Sequence, residues 1–260
     1  MRRASEPSRP EVVVAYQDAH LLVLLKPPGL PTTAPDEHTE CLTTRARAID
    51  PKAPRMHATS RLDRDVTGLV TFARTDRAIA ALLEARKAGR YARTYLALVR
   101  GVPPSSEDAW AWPIALDPRD KRLRVAVGAE GPWGPQRGPL ERMQAARSRH
   151  RVLAEVQGHA LLALFPETGR THQLRVHCTA AGHPILGDGS YGGASRAVLP
   201  DGRVVAARRP LLHCARVALP RIEAAGMLEL RASPPDDFVR AWTGLGGAVE
   251  ALGEAPAGPV

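Results

Sequence analysis

No run of about eighteen apolar residues occurs in this chain, so no hydrophobic helix of membrane-crossing length can be drawn on it. The opening MRRASEPSRP is basic, but no apolar segment follows it, which argues against a secretory leader. These ten residues, 1–10, are expected to form a disordered tail. Cysteine is scarce: Cys41, Cys178 and Cys214 are an odd set with no CxxC pair. That excludes a disulfide framework and suits a reducing, cytoplasmic compartment. A zincin-type H-E-x-x-H, a G-x-S-x-G elbow and a Walker-type lysine are all absent. No internal repeat and no regular βαβ rhythm is found either.

Two local patterns imitate cofactor sites. Gly187 to Gly192 (GDGSYG) match G-x-G-x-x-G by letter, yet they follow a helix end and Pro184-Ile185-Leu186. A dinucleotide site needs a strand before the glycines and a helix after them, so a plain glycine turn is expected. His172, His177 and His183 with Cys178 suggest a metal set. On a helix, however, positions five apart differ by about 140°. The expectation is no metal and no cofactor, with these histidines on the helix surface.

What is abundant is positive charge. Against 27 Asp and Glu stand 36 Lys and Arg, a formal net charge of +9, and arginines come in bursts such as Arg142, Arg147, Arg149 and Arg151. A GC-rich genome would raise arginine together with alanine, glycine and proline. Whatever its origin, such a surface attracts polyanions, of which RNA and DNA are the commonest in a cytosol.

The apolar pattern predicts elements. VVVAY (12–16) and LLVLL (21–25) read as a strand pair, and a helix is expected near 40–49. LVTFA (69–73) reads as a buried strand, followed by a helix capped by Thr75 or Asp76 and stopped at Gly89. RTYLALVRG (93–101) alternates like a strand. Pro103 to Trp133 is read as turn-rich, with 128–139 a flexible connector. Residues 149–156 and 159–165 flank Gln157-Gly158 as a hairpin. THQLRVHCTAAG then reads as a helix capped by Thr171, with LLHCARVAL (211–219) and GMLELRA (226–232) as further strands. Residues 244–260 are expected to be a flexible tail. Together these predict an α+β, mixed α/β fold on a largely antiparallel sheet.

One stretch asks for a chemical explanation. SRLDRDVTGLV (60–70) puts Asp63 and Asp65 between arginines at the lip of a buried strand. A solvated loop with mutually paired charges is the plainer reading. Three features favour a site. Gly68 would let the backbone pass close to a ligand. TGRTHQLRVH is rich in donors and begins a helix, whose N-terminus favours anions. RTYLALV sets an aromatic beside a basic residue. A carboxylate base or nucleophile, its arginine and a stacking surface would frame a cleft, with Asp63 and Asp65 equally eligible.

Five blocks carry a resemblance: LLVLLKPPGLPT (21–32), SRLDRDVTGLVTFART (60–75), RTYLALVRG (93–101), ETGRTHQLRVHCTAAGHPILGDGSYGG (167–193) and LLHCARVAL (211–219). In these the chain resembles the RluA-type RNA pseudouridine synthases across nearly its whole length. The resemblance implies a pseudouridine synthase-like fold, a long mixed sheet with a central catalytic cleft. It also implies isomerisation of uridine in rRNA or tRNA without a metal or organic cofactor. Carried over by position, it makes Asp63 the catalytic carboxylate and Arg175 its partner. Tyr95 would stack on the base, Leu212 would pack beneath it, and Arg61 would fill the gap left by the flipped nucleotide. Arg64, Arg170 and His172 are expected to contact RNA.

The chain departs from the family in having Ser60 where a histidine is usual, and Val66-Thr67 where Thr-Ser is usual. Backbone hydrogen bonding and target choice near the loop could differ as a result. Residues 11–243 are expected to be the catalytic domain, acting as a monomer with no added RNA-binding domain. A non-catalytic RNA-binding or RNA-folding factor on the same scaffold is the alternative. A glycosidase using both aspartates finds no second acid motif.

Overall fold

The computed structural model describes residues 11–34, 39–130, 140–253 and 255–258. The expected tail 1–10 and most of the expected connector, 131–139, lie outside the described residues.

In the first half, β1 (Val13–Gln17) and β2 (Leu21–Lys26) are joined by a turn in which Asp18 accepts from the N–H groups of His20 and Leu21. Then follow α1 (Leu42–Ile49), the short β3 (His57–Ala58), β4 (Thr67–Ala73), α2 (Asp76–Lys87) and β5 (Ala92–Arg100). Thr75 caps α2 by accepting from Ala78 N–H at 3.2 Å, as the sequence predicts. Ala78, Leu82 and Ala85 form the buried face of this helix, while Leu83 points to solvent. Next come β6 (Glu107–Trp110), β7 (Ile114–Leu116) and β8 (Arg124–Ala126), three short strands inside the segment read as turns. They are too brief to show a period.

The hairpin β9 (Ser148–Val156) and β10 (His159–Pro166) turns through Gln157 and Gly158, both at positive φ (50° and 70°), the geometry a two-residue hairpin turn needs. After it come α3 (Gln173–Ala180), β11 (Arg196–Val198), β12 (Val204–Ala206), β13 (Leu212–Pro220), β14 (Met227–Arg231) and α4 (Asp236–Gly244).

Among the described residues, ten strands form one sheet whose main path runs β1-β2-β4-β13-β5-β10-β9-β6, with β3 on β4 and β14 on β13. Every pairing is antiparallel except β4 with β13, where Thr67 faces His213 and Gly68 faces Cys214. There the backbones crowd. A Cβ on Gly68, at φ 118°, would lie 2.4 Å from the Cys214 nitrogen. Gly68 is thus demanded by a neighbouring strand rather than by a ligand, which corrects the sequence reading.

Alternation along the central strands builds two cores. From β5, Tyr95, Ala97 and Val99 join one apolar cluster while Leu96 and Leu98 join the other. From β10, Ala160, Leu162 and Leu164 join the first and Leu161 the second. Helices α1, α2 and α3 cover the first face through Leu42, Leu82 and Leu174. Helix α4 covers the second through Phe238 and Trp242.

The C-terminal expectation is overturned for the described residues. Leu245, Leu252 and Ala255 are buried on the α4 face, and Thr94 Oγ1 donates to the Pro256 carbonyl at 3.0 Å. Glycine and alanine richness concealed three apolar anchors there. No helix among the described residues is long and apolar enough to cross a membrane.

Candidate active site

The loop from β3 to β4 carries Asp63, and two internal clamps hold it. Lys26 is fully buried at the end of β2, and its Nζ donates to the carbonyls of Pro27, Leu30 and Arg64, each at 2.8 Å. Thr32 Oγ1 donates to the Leu62 carbonyl at 2.8 Å and accepts from Leu62 N–H at 3.0 Å. Burial pushes Lys26 down to about 7, against the pull of Asp65 and Asp63. Three carbonyl acceptors favour the ammonium, which alone has three N–H groups to give them.

Asp63 meets Arg175, which stands on the inner face of α3. Arg175 Nη1 donates to Asp63 Oδ2 at 3.0 Å. The rest of the guanidinium is fixed from behind: Nε and Nη2 donate to the two oxygens of Asp188, both at 2.7 Å. Asp188 is almost wholly buried in the glycine turn, and the Tyr191 ring lies 4.8 Å from Arg175 Cζ. Burial opposes the arginine's charge, but Asp188 and then Asp63 outweigh it and push its pKa up. The result is a rigid cation with one edge toward Asp63.

The glycine turn serves the arginine. It curls through a 3₁₀ turn (Gly189–Tyr191) and delivers Asp188 to Arg175. Sequence reasoning passed over Asp188. Its only signal was a lone acid among glycines, close after a helix carrying an arginine.

Thr171 does not cap α3. The helix starts at Gln173 behind His172, which sits in the left-handed region at φ 58°. The Gln173 side chain closes the turn instead, its Oε1 accepting from Arg170 N–H at 3.0 Å. His172 Nδ1 is 2.8 Å from the Tyr191 hydroxyl, and its Nε2 is 4.0 Å from Asp63 Oδ2. Burial first, offset by Asp63, lowers its pKa. His177 is fully buried between Ser148 Oγ and the Trp112 carbonyl, each at 3.0 Å, so it is an interior ligand of protein groups and not the expected surface residue. Among the described residues, no three of His, Cys, Asp and Glu gather to hold a metal.

Tyr95 and Leu212 come from adjacent strands, with Tyr95 opposite Cys214 and Leu212 opposite Ala97. Both join the apolar cluster on the face covered by α3. The Tyr95 hydroxyl accepts from Arg93 Nη1 at 3.1 Å, and burial pushes its pKa up, so it stays protonated. Asp63, Tyr95, Arg175 and Leu212 share the wall of one cavity of about 720 Å³, together with Arg61, Arg170 and His172. Arg64 is not part of that wall, and its Nε donates to the Gly29 carbonyl at 3.1 Å. Asp65 is exposed and also outside the wall.

The chain's relatives can be set beside this geometry. Residues 20–180 match the sequence model of the RNA pseudouridylate synthase family. The chain belongs to this family. It is 38% identical over 178 residues to an uncharacterized RNA pseudouridine synthase of Chloroflexus aurantiacus, covering 68% of this chain and 50% of that protein. It is 37% identical over 193 residues to ribosomal large subunit pseudouridine synthase D of Xanthomonas campestris, covering 73% and 54%. The chain thus spans about half the length of these two relatives. The dual-specificity RNA pseudouridine synthase RluA of Escherichia coli is matched along 92% of this chain and 99% of its own length, at 31% identity. Among solved structures, human RNA pseudouridylate synthase domain containing 4 superposes with a TM-score of 0.68 at 26% identity, covering 89% of this chain and 92% of that one. The fold is accordingly the mixed α/β fold of the pseudouridylate synthases.

Proposed function

We propose that the chain is an RNA pseudouridine synthase with Asp63 as its catalytic carboxylate. The carrying observation is the Asp63–Arg175–Asp188 arrangement at the wall of a basic cavity. The reaction breaks the bond from ribose C1′ to uracil N1, turns the base and joins C1′ to C5. The proton on C5 leaves and N1 gains one, so substrate and product are isomers. Asp63 is needed as an anion, either to attack or to steady the sugar cation, and the Arg175 guanidinium donates to it. Tyr95 and Leu212 would hold the detached uracil between an aromatic and an apolar surface, away from water. Such an enclosed site reaches only an unstacked base, so the target nucleotide is flipped at a cost of a few kcal/mol. Arg61 would occupy the gap, and Arg170 and His172 would contact the strand.

The substrate we assign is RNA, with ribosomal RNA the first to try and transfer RNA the second. The catalytic unit takes in residues 11–243 with the C-terminal segment packed on it. It would work as a cytoplasmic monomer without a cofactor. The test is release of tritium from RNA labelled at uridine C5. Wild-type protein should release it, and Asp63→Asn should not, while keeping RNA affinity. Turnover surviving in that variant would overturn the assignment of Asp63. Binding without release on any cellular RNA would favour a non-catalytic RNA-folding factor instead.

A further inference from the structure

Burying an arginine in this fold normally comes with a carboxylate. The three most buried each have one: Arg175 has Asp63 and Asp188, Arg209 has Asp237, and Arg216 has Glu229. Arg93 breaks this pattern. It leaves β5 half-buried in the cavity wall, donating to the Tyr95 hydroxyl, with its Cζ 5.9 Å from the Tyr95 ring. No carboxylate among the described residues lies within ion-pairing distance of it. Burial opposes its charge, but the Tyr95 and Tyr91 phenols and the Cys214 thiol outweigh burial and push its pKa up, so Arg93 stays a cation that no anion among the described residues neutralises.

A second guanidinium makes the imbalance worse. Arg86, in the last turn of α2, lines the same cavity. It donates through Nη2 to the Thr59 carbonyl, and its Cζ sits 5.2 Å from the Tyr91 ring. It too has no carboxylate partner among the described residues. Partial desolvation and then the charge of Arg93 lower its pKa, so the two cations feel each other. Two cations lining one cavity without an internal counterion suit an external anion that bridges them.

We propose that Arg86 and Arg93 form a phosphate clamp, holding one backbone phosphodiester of the RNA strand beside the target uridine. Because Arg93 also touches Tyr95, the clamp fixes the strand one side chain away from the surface that receives the base. This deepens the proposed function and rests on RNA being the substrate.

The experiment uses a fluorescein-labelled oligoadenylate with one central uridine, bound to the full chain across a sodium chloride series. A neutralised phosphate contributes about 0.7 to the slope of log affinity against log salt on a single strand. Arg93→Gln and Arg86→Gln should each lower the slope by about that amount, and the double variant by no more, because both grip one phosphate. Arg93→Lys and Arg86→Lys should keep it. Arg122→Gln, an exposed arginine paired with Asp120, serves as the control that changes nothing.

A series of oligonucleotides with single methylphosphonate linkages supplies the arm that needs no variant. One linkage next to the uridine should weaken wild-type binding, and the same linkage should add nothing to the double variant. Uniform binding along that series, or an unchanged salt slope with slowed tritium release, would overturn the clamp and leave Arg93 as a support for Tyr95. Tritium release assayed on the same samples separates the two ideas. A normal clamp signature without release would sink the isomerase reading alone.

Discussion

At the scale of single residues, the site depends on how one guanidinium is shared. Arg175 gives two bonds to Asp188 and one to Asp63, so Asp188 sets the position from which Asp63 is held. Replacing Asp188 by Ala would leave a buried cation with a single, half-exposed partner. We expect a stability loss of about 3 to 5 kcal/mol, seen as a lower urea midpoint. Asp188→Asn should be milder on stability, yet turnover should fall with RNA affinity intact, because the arginine can then drift from Asp63. Equal losses in turnover and affinity would instead mark Asp188 as a residue of general stability. Little of this is legible locally. Asp63 and Asp65 share the same flanking arginines, and the contact that separates them comes from 112 residues away. Resemblance to a family selects Asp63 from the sequence, and of the two aspartates Asp63 lines the cavity while Asp65 lies outside it.

At the scale of elements, long strands and the capped helix α2 were legible because alternation and caps are local signals. The elements that escaped, β3, β6 to β8, β11, β12 and α4, are short or end in glycine and alanine, and contacts made elsewhere in the chain define them. The lone parallel pairing, β4 with β13, shows how such contacts act. There His213 is buried, with Nδ1 2.9 Å from Thr67 Oγ1 and Nε2 3.1 Å from the Ala232 carbonyl. The neutral ring satisfies both, accepting from Thr67 and donating to Ala232. Burial pushes its pKa down to about 4. The unfolded chain takes this proton near pH 6.5 and the folded chain resists it, so unfolding binds protons between those values. Stability should be full above about pH 6.5 and decline as pH falls toward about 4. Urea midpoints across that range should show the decline. His177 and His150, shifted the same way, add to it. His213→Asn should therefore lower the midpoint at neutral pH while flattening part of the acid slope. An unchanged slope would mean that folding leaves the proton affinity of His213 unaltered.

At the scale of the whole molecule, the net charge of +9 announced a polyanionic partner but not where it lies. Part of that charge lines the cavity. Five arginines and a single aspartate line the cavity, and the aspartate is already engaged by Arg175. Arg61, Arg170 and the Arg86–Arg93 pair are left to meet the strand, which makes about three phosphates' worth of released counterions. On single-stranded RNA this corresponds to a slope of about −2 in log affinity against log salt. Binding should weaken along that line from low salt upward, whereas turnover of bound RNA in single-turnover assays should hardly change, because the Asp63–Arg175–Asp188 contacts are short-range and largely enclosed. Arg61→Gln should reduce the slope and also slow turnover, since its expected place is inside the RNA stack. Arg170→Gln, whose Nε already donates to the Ala145 carbonyl, should reduce the slope alone. A flat salt dependence for the wild-type protein would place RNA recognition on base contacts and shape instead of on this charged wall.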